Sequence, residues 1–309
     1  MNQAVRIGLG MATLMREPSH RRRKYLMDLS YDIGIRHYDV APAYGLGAAE
    51  TELGQFLDAG HSDVSVATKV GLAPSALARL LAPVQAPLRC ALRRSPKLRT
   101  LAKRNSPAIN RPVPQLDATA LRDGVQQSRV RLRGHRINYL FLHELPLAVL
   151  TAPVSTAVES LIHSNVVGQF GISGPATVLP PELSAGSPLV SAILTNDSLT
   201  HRDLHHQPGI AWFHYGVLGQ TLAHAREALE DRELRTTVES VVGEPLRTKE
   251  QVARLLIVLA GTARSQATVL VGTTNPGHLA ALVHGLDAEL PGADAIARAR
   301  NLLTPRIGH

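Results

Sequence analysis

The sequence predicts a (β/α)8 barrel of the TIM type, and three observations predict it. Eight short apolar runs rich in valine and isoleucine alternate with segments of helical spacing along 309 residues. The runs are almost continuously apolar, as strands covered on both faces of a parallel sheet are. No break in composition divides the chain, and its length suits a barrel of about 250 residues plus insertions. An open doubly wound sheet is the alternative. Against it, GLGMAT after the first run holds only the first two glycines of a G-x-G-x-x-G fingerprint. The expected organisation is one domain over 1–309, with a long basic insertion after the third strand, residues 71–116, on the catalytic face.

The expected strands are 6–12, 36–41, 63–70, 137–143, 167–173, 190–196, 210–216 and 268–274. Helical spacing precedes the second strand (22–34) and follows it (48–60), where Gly60 is a plausible stop. It returns at 119–134, 154–165, 248–263 and 276–286, the last with Pro276 in its first turn. The segments PATVLPPEL and SLTHRDLHH, after the fifth and sixth strands, are poorly patterned. A final helix-like stretch runs from Asp294.

The net charge of +8 is local. No acid lies between Asp63 and Asp117, and ten lysines and arginines from Lys69 to Arg111 do. That stretch lacks the aromatic residues that stack bases, so nucleic acid is not an expected partner. Two readings of its basic face remain, a solvated surface and a lid that narrows the barrel mouth and steers anions. The single cysteine, Cys90, excludes an intrachain disulfide and suits a cytoplasmic protein. No apolar run is long enough to span a bilayer, so no membrane is expected. The histidines of HRDLHH lack accompanying carboxylates or cysteines, so no metal is expected.

Chemistry in such a barrel gathers where the strands end. Asp39 closes the second strand, Tyr44 follows in the next turn, Lys69 ends the third strand and His143 ends the fourth. Alone, Asp39 and Lys69 read as a structural ion pair; four converging groups of distinct type read as a catalytic set. An ammonium beside a phenol lowers the phenol's pKa and makes it a better proton donor to a carbonyl. Asp39 can hold Lys69, and His143 can orient the substrate oxygen. The set suits proton transfer coupled to hydride transfer.

In order and spacing, these segments resemble the aldo-keto reductase superfamily over almost the whole chain. The matching pieces are DVAPAYGLGAAETELGQFL, VSVATKV, RINYLFLHE, VVGQFGISG, HYGVLGQ and VLVGTTNPGHLAAL. The resemblance implies Asp39, Tyr44, Lys69 and His143 as the catalytic tetrad, with Tyr44 as general acid or base. It implies an NADP(H) cofactor, with NAD(H) as the alternative. Tyr215 would stack on the nicotinamide, and Met11, Asp39 and Ser173 would lie around that end. Gly216, Leu218 and Gln220 would line the pyrophosphate, and Gly272, Thr273, Thr274 and His278 the adenosine phosphate.

Two positions depart from the family pattern. Ser173-Gly174 stands where Ser-Asn is usual, and Leu194 where a glutamine is usual, so the carboxamide grip is reduced or rebuilt. Gly272-Thr273 and His278 align with a Lys-Ser pair and an arginine, leaving no fixed cation for a 2′-phosphate. The expected activity interconverts a small carbonyl compound (aldehyde, ketone or aldose) and its alcohol. The alternative is a cofactor-binding regulatory protein on the same scaffold with little turnover.

Overall fold

The computed structural model describes residues 5–74, 110–112, 116–175, 179, 188–196, 209–262, 267–287 and 289–307. Among them are ten strands: β1 (Arg6–Gly10), β2 (His37–Asp39), β3 (Ser65–Val70), β4 (Leu72–Pro74), β5 (Asn110–Pro112), β6 (Ile137–His143), β7 (Val167–Gly174), β8 (Val190–Asn196), β9 (Ala211–Tyr215) and β10 (Thr268–Val271). Eight of them close into a barrel in the order β1-β2-β3-β6-β7-β8-β9-β10, all parallel, with β10 pairing back onto β1. The remaining two, β4 and β5, form an antiparallel ribbon directly after β3.

The helices are α1 (Met11–Leu14), α2 (His20–Asp32), α3 (Ala48–Asp58), α4 (Ala118–Arg131), α5 (Ala152–His163), α6 (Gln220–Ala228), α7 (Arg232–Val242), α8 (Lys249–Thr262), α9 (Pro276–Leu286) and α10 (Ala293–Ile307). Their starts follow side-chain chemistry. Ser19, Asp117, Asp231 and Asn275 each accept a hydrogen bond from a backbone N–H in the first turn they precede. All eight expected strands and seven expected helices, the final one included, are present, with ends shifted by a few residues. The β4–β5 ribbon, α1, α6 and α7 were not anticipated, and α1 begins where the first strand was expected to continue to residue 12. The basic residues from Arg79 to Arg104, Cys90 and the HRDLHH segment lie outside the described residues.

Alternation along each strand separates two cores. Tyr38, Val66, Leu140, Leu142, Ile172 and Ile193 point outward and join the large cluster beneath the helices. Ala67, Phe141, Ala192, Leu194, Phe213 and Leu270 fill the barrel. At the floor, His37 stacks on Phe213 at 4.7 Å, and Tyr139 meets the same ring edge-on. Gly8 makes room for this layer, since a Cβ there would come within 2.7 Å of His37 Cδ2. Asp39, Lys69, His143, Ser173 and Tyr215 occupy the inward positions at the strands' carboxyl ends, above the aromatic filling.

Candidate active site

The turn between β2 and α3 aims Tyr44. Gly45, Leu46 and Gly47 all have positive φ, which folds the chain sharply and starts α3 beneath it. The Tyr44 N–H donates to Ala41 O at 2.9 Å. Glu50, in the first turn of α3, is fully buried. It accepts from Thr68 Oγ1 at 2.6 Å and from Arg131 Nε at 2.5 Å. One carboxylate thus ties the Tyr44 turn to the residue beside Lys69 and to α4.

Lys69 is buried, and its Nζ donates to Asp39 Oδ1 (2.6 Å), Asp39 Oδ2 (2.8 Å) and Val40 O (3.0 Å). The same nitrogen lies 4.8 Å from the centre of the Tyr44 ring. Across the cavity the His143 ring stands edge-on to Tyr44, centres 6.4 Å apart. His143 Nδ1 is buried and has no hydrogen-bond partner among the described residues.

The electrostatics differ from expectation at Tyr44. Burial pushes its pKa up, and the Lys69 ammonium pulls it back without cancelling the rise. A deprotonated phenol is therefore not the resting state. Burial also lowers Lys69, but Asp39 and Tyr44 outweigh it and leave the ammonium above its ordinary pKa. Asp39 is lifted by burial and held back by Lys69. With both carboxylate oxygens on one ammonium, the pair stays charged at neutral pH. His143 is driven down to about 3 by burial, with Lys69 adding to the shift, so its imidazole is neutral.

These groups line a cavity of about 360 Å³ with Thr13, Glu144, Ser173, Leu194, Tyr215 and Gly216. Gly272 lines it too, and also lines a second cavity of about 200 Å³ that runs past Leu218, Thr273 and His278 to Lys249 and Glu250. Together they form an elongated groove. Gly272 keeps its middle open: a Cβ there would meet Thr13 Oγ1 at 2.7 Å. A third cavity of about 380 Å³ shares Glu144 and Ser173 with the first. Among the described residues no group of histidines, cysteines and acids is placed to hold a metal.

Most of the residues singled out in the sequence meet in this groove; Met11 does not. Its side chain is fully buried in the outer core because α1 begins there, and Ala12 and Thr13 face the cavity instead. Gln220 and Thr274 are near the groove in sequence but line neither of its cavities. Thr13, Glu144, Lys249 and Glu250 also line the groove and were not among the residues singled out; Glu144 had a signal, as an acid adjoining the candidate histidine. Leu194 lines the cavity with an apolar side chain, so no amide is offered at that position.

A closed parallel barrel with polar groups converging at the strands' carboxyl ends defines a barrel enzyme. The family model "Aldo/keto reductase family" matches residues 6–298. The chain belongs to the aldo/keto reductase family. It is 33% identical over 175 residues to a D-threo-aldose 1-dehydrogenase from a Pseudomonas species, covering 54% of this chain and 49% of that one. The match thus spans about half the length of that relative. The holo form of aldo-keto reductase AKR11C1 from Bacillus halodurans superposes with a TM-score of 0.68 at 17% identity, covering 98% of this chain and 95% of its own. An aldo-keto reductase from Klebsiella pneumoniae in complex with NADPH gives 0.65 at 17% identity, covering 100% and 99%. No described helix is long and apolar enough to cross a membrane.

Proposed function

We propose that the groove is the active site, and that the protein interconverts a small carbonyl compound and its alcohol with Tyr44 as general acid and base. The observation that carries this reading is the Lys69 ammonium, fixed by Asp39 and set 4.8 Å from the centre of the Tyr44 ring, with neutral His143 opposite. In reduction the Tyr44 hydroxyl gives its proton to the carbonyl oxygen. Lys69 stabilises the phenolate that remains, and Asp39 keeps Lys69 aimed. The neutral His143 ring hydrogen-bonds the same oxygen and orients it. In oxidation the proton returns to Tyr44.

The bound nicotinamide cofactor supplies or accepts the hydride. Tyr215 would flank its ring and Ser173 its carboxamide. Gly216 and Leu218 would follow the pyrophosphate, and Gly272, Thr273 and His278 the adenosine end. The length of the groove and the close approach that Gly272 permits fit a dinucleotide. NADP(H) is the favoured form, with Lys249 supplying a cation that the sequence motif lacks. We read the chain as one barrel unit, with 71–116 inserted on the catalytic face; the single cysteine suits the cytoplasm.

The test is Tyr44→Phe, assayed with NADPH and 4-nitrobenzaldehyde. Loss of a positioned general acid costs about 10²–10⁴-fold in kcat. NADPH affinity, followed by fluorescence titration, stays within a few-fold of the parent. Near-parental turnover in this variant ends the assignment of Tyr44.

A further inference from the structure

Glu144 is the first residue beyond β6, next to His143. It is exposed, it lines the candidate catalytic cavity, and it borders the neighbouring cavity as well. It has no ion-pair partner among the described residues. Its backbone is left-handed, with φ of 56°, a conformation that costs a non-glycine residue about 1 kcal/mol or more. The position is held because the Glu144 N–H donates to Ser173 O at 2.7 Å, extending the β6–β7 pairing by one bond. A glycine would relieve the strain and keep the bond. Retaining a long acid there needs another reason. Burial raises the pKa of Tyr215 and of Tyr44, and the Glu144 carboxylate adds to both, so its charge is felt in the cavity.

We infer that Glu144 is a specificity-determining residue that selects hydroxylated, uncharged carbonyl substrates. The inference rests on the active-site reading above. An ionised carboxylate is an acceptor only, with room for more than one donor. A hydroxyl on the carbon next to the reacting carbonyl can donate to it while the carbonyl oxygen lies between Tyr44 and His143. A substrate lacking that hydroxyl leaves the acid solvated and gains nothing. A substrate carrying its own carboxylate meets like charge. The aromatic and apolar walls, Tyr215 and Leu194, provide no competing acceptor of comparable strength.

The experiment compares kcat/KM with NADPH for three small aldehydes: glyceraldehyde, propanal (the same chain without hydroxyls) and succinic semialdehyde (anionic). The parent enzyme should favour glyceraldehyde over propanal by about 10- to 100-fold, the worth of one charge-assisted hydrogen bond. Glu144→Gly, which removes the side chain and the backbone strain together, should bring that ratio close to one. Glu144→Gln should lower it partly and raise succinic semialdehyde relative to propanal. Tyr44→Phe should depress all three aldehydes together and leave the ratio alone. Propanal turned over as well as glyceraldehyde by the parent, or a ratio unchanged in both Glu144 variants, overturns the role of Glu144 and leaves Tyr44 untouched. If neither aldehyde is turned over with NADPH or NADH, the active-site reading and this inference fall together.

Discussion

At Tyr44 two influences oppose each other. Burial disfavours the phenolate, Lys69 favours it, and burial wins. In the proposed role the phenol is therefore protonated across the neutral range and ready to donate. Reduction should slow only as pH rises through a value above the ordinary tyrosine pKa of about 10. Because His143 sits near 3, no step should appear at the usual histidine value of about 6.5. Lys69→Met removes the one strong influence that lowers the phenol's pKa. We predict that it cuts kcat sharply, moves the alkaline limb to still higher pH and leaves Asp39 buried without its partner. Steady-state kcat measured from pH 6 to 11 checks this; an unchanged profile would make Lys69 a structural residue only.

At the scale of elements, α3 is fastened through Glu50. The carboxylate is fully buried between the Thr68 hydroxyl and the Arg131 guanidinium. Glu50→Ala leaves the buried Thr68 hydroxyl without its acceptor and the partly exposed Arg131 without its carboxylate, a loss of about 1–3 kcal/mol. The urea midpoint should fall accordingly, and a loss under 1 kcal/mol would mean the tie is dispensable.

The elements were legible where a pattern was long. Strands such as Ile137–His143 declared themselves by apolar continuity, and α9 by Pro276 and its cap. Helix α7 was harder, because only Val238 and Val242 are buried along RELRTTVESVV, although Asp231 and Gly243 mark its ends. The β4–β5 ribbon pairs residues almost forty positions apart, a separation no local pattern encodes. Asp39, Tyr44, Lys69 and His143 were legible because strand ends converge in a barrel. The place of Lys249 at the groove was not legible, since it arrives from a helix outside every motif, nor was the burial of Met11, which follows from the one-residue register of the turn into α1.

For the whole molecule, two buried histidines link stability to pH. His37, between Phe213 and Tyr139, and His143 are both held neutral, each near pKa 3, by burial first and Lys69 second. Above about 6.5 neither state takes up a proton at these sites, and stability is full. Between about 6.5 and 3 the unfolded chain binds protons that the folded chain refuses, so stability falls as pH falls. Tm should drop between pH 7 and pH 4.5. His37→Phe, which keeps a ring against Phe213, should flatten that drop; an equal slope in the variant would remove His37 from the account.

The ribbon beside the barrel mouth has a consequence for how this chain tolerates change in length. Pro74 and Asn110 face each other across paired backbone, so residues 75–109 leave and re-enter the barrel at one point. The ladder sees only the ribbon's two strands, whatever their connection holds. Closing a loop becomes harder only with the logarithm of its length, about 0.6 kcal/mol for each doubling. A change in the number of residues between Pro74 and Asn110 therefore alters a closure cost and leaves the ribbon's own pairing as it is.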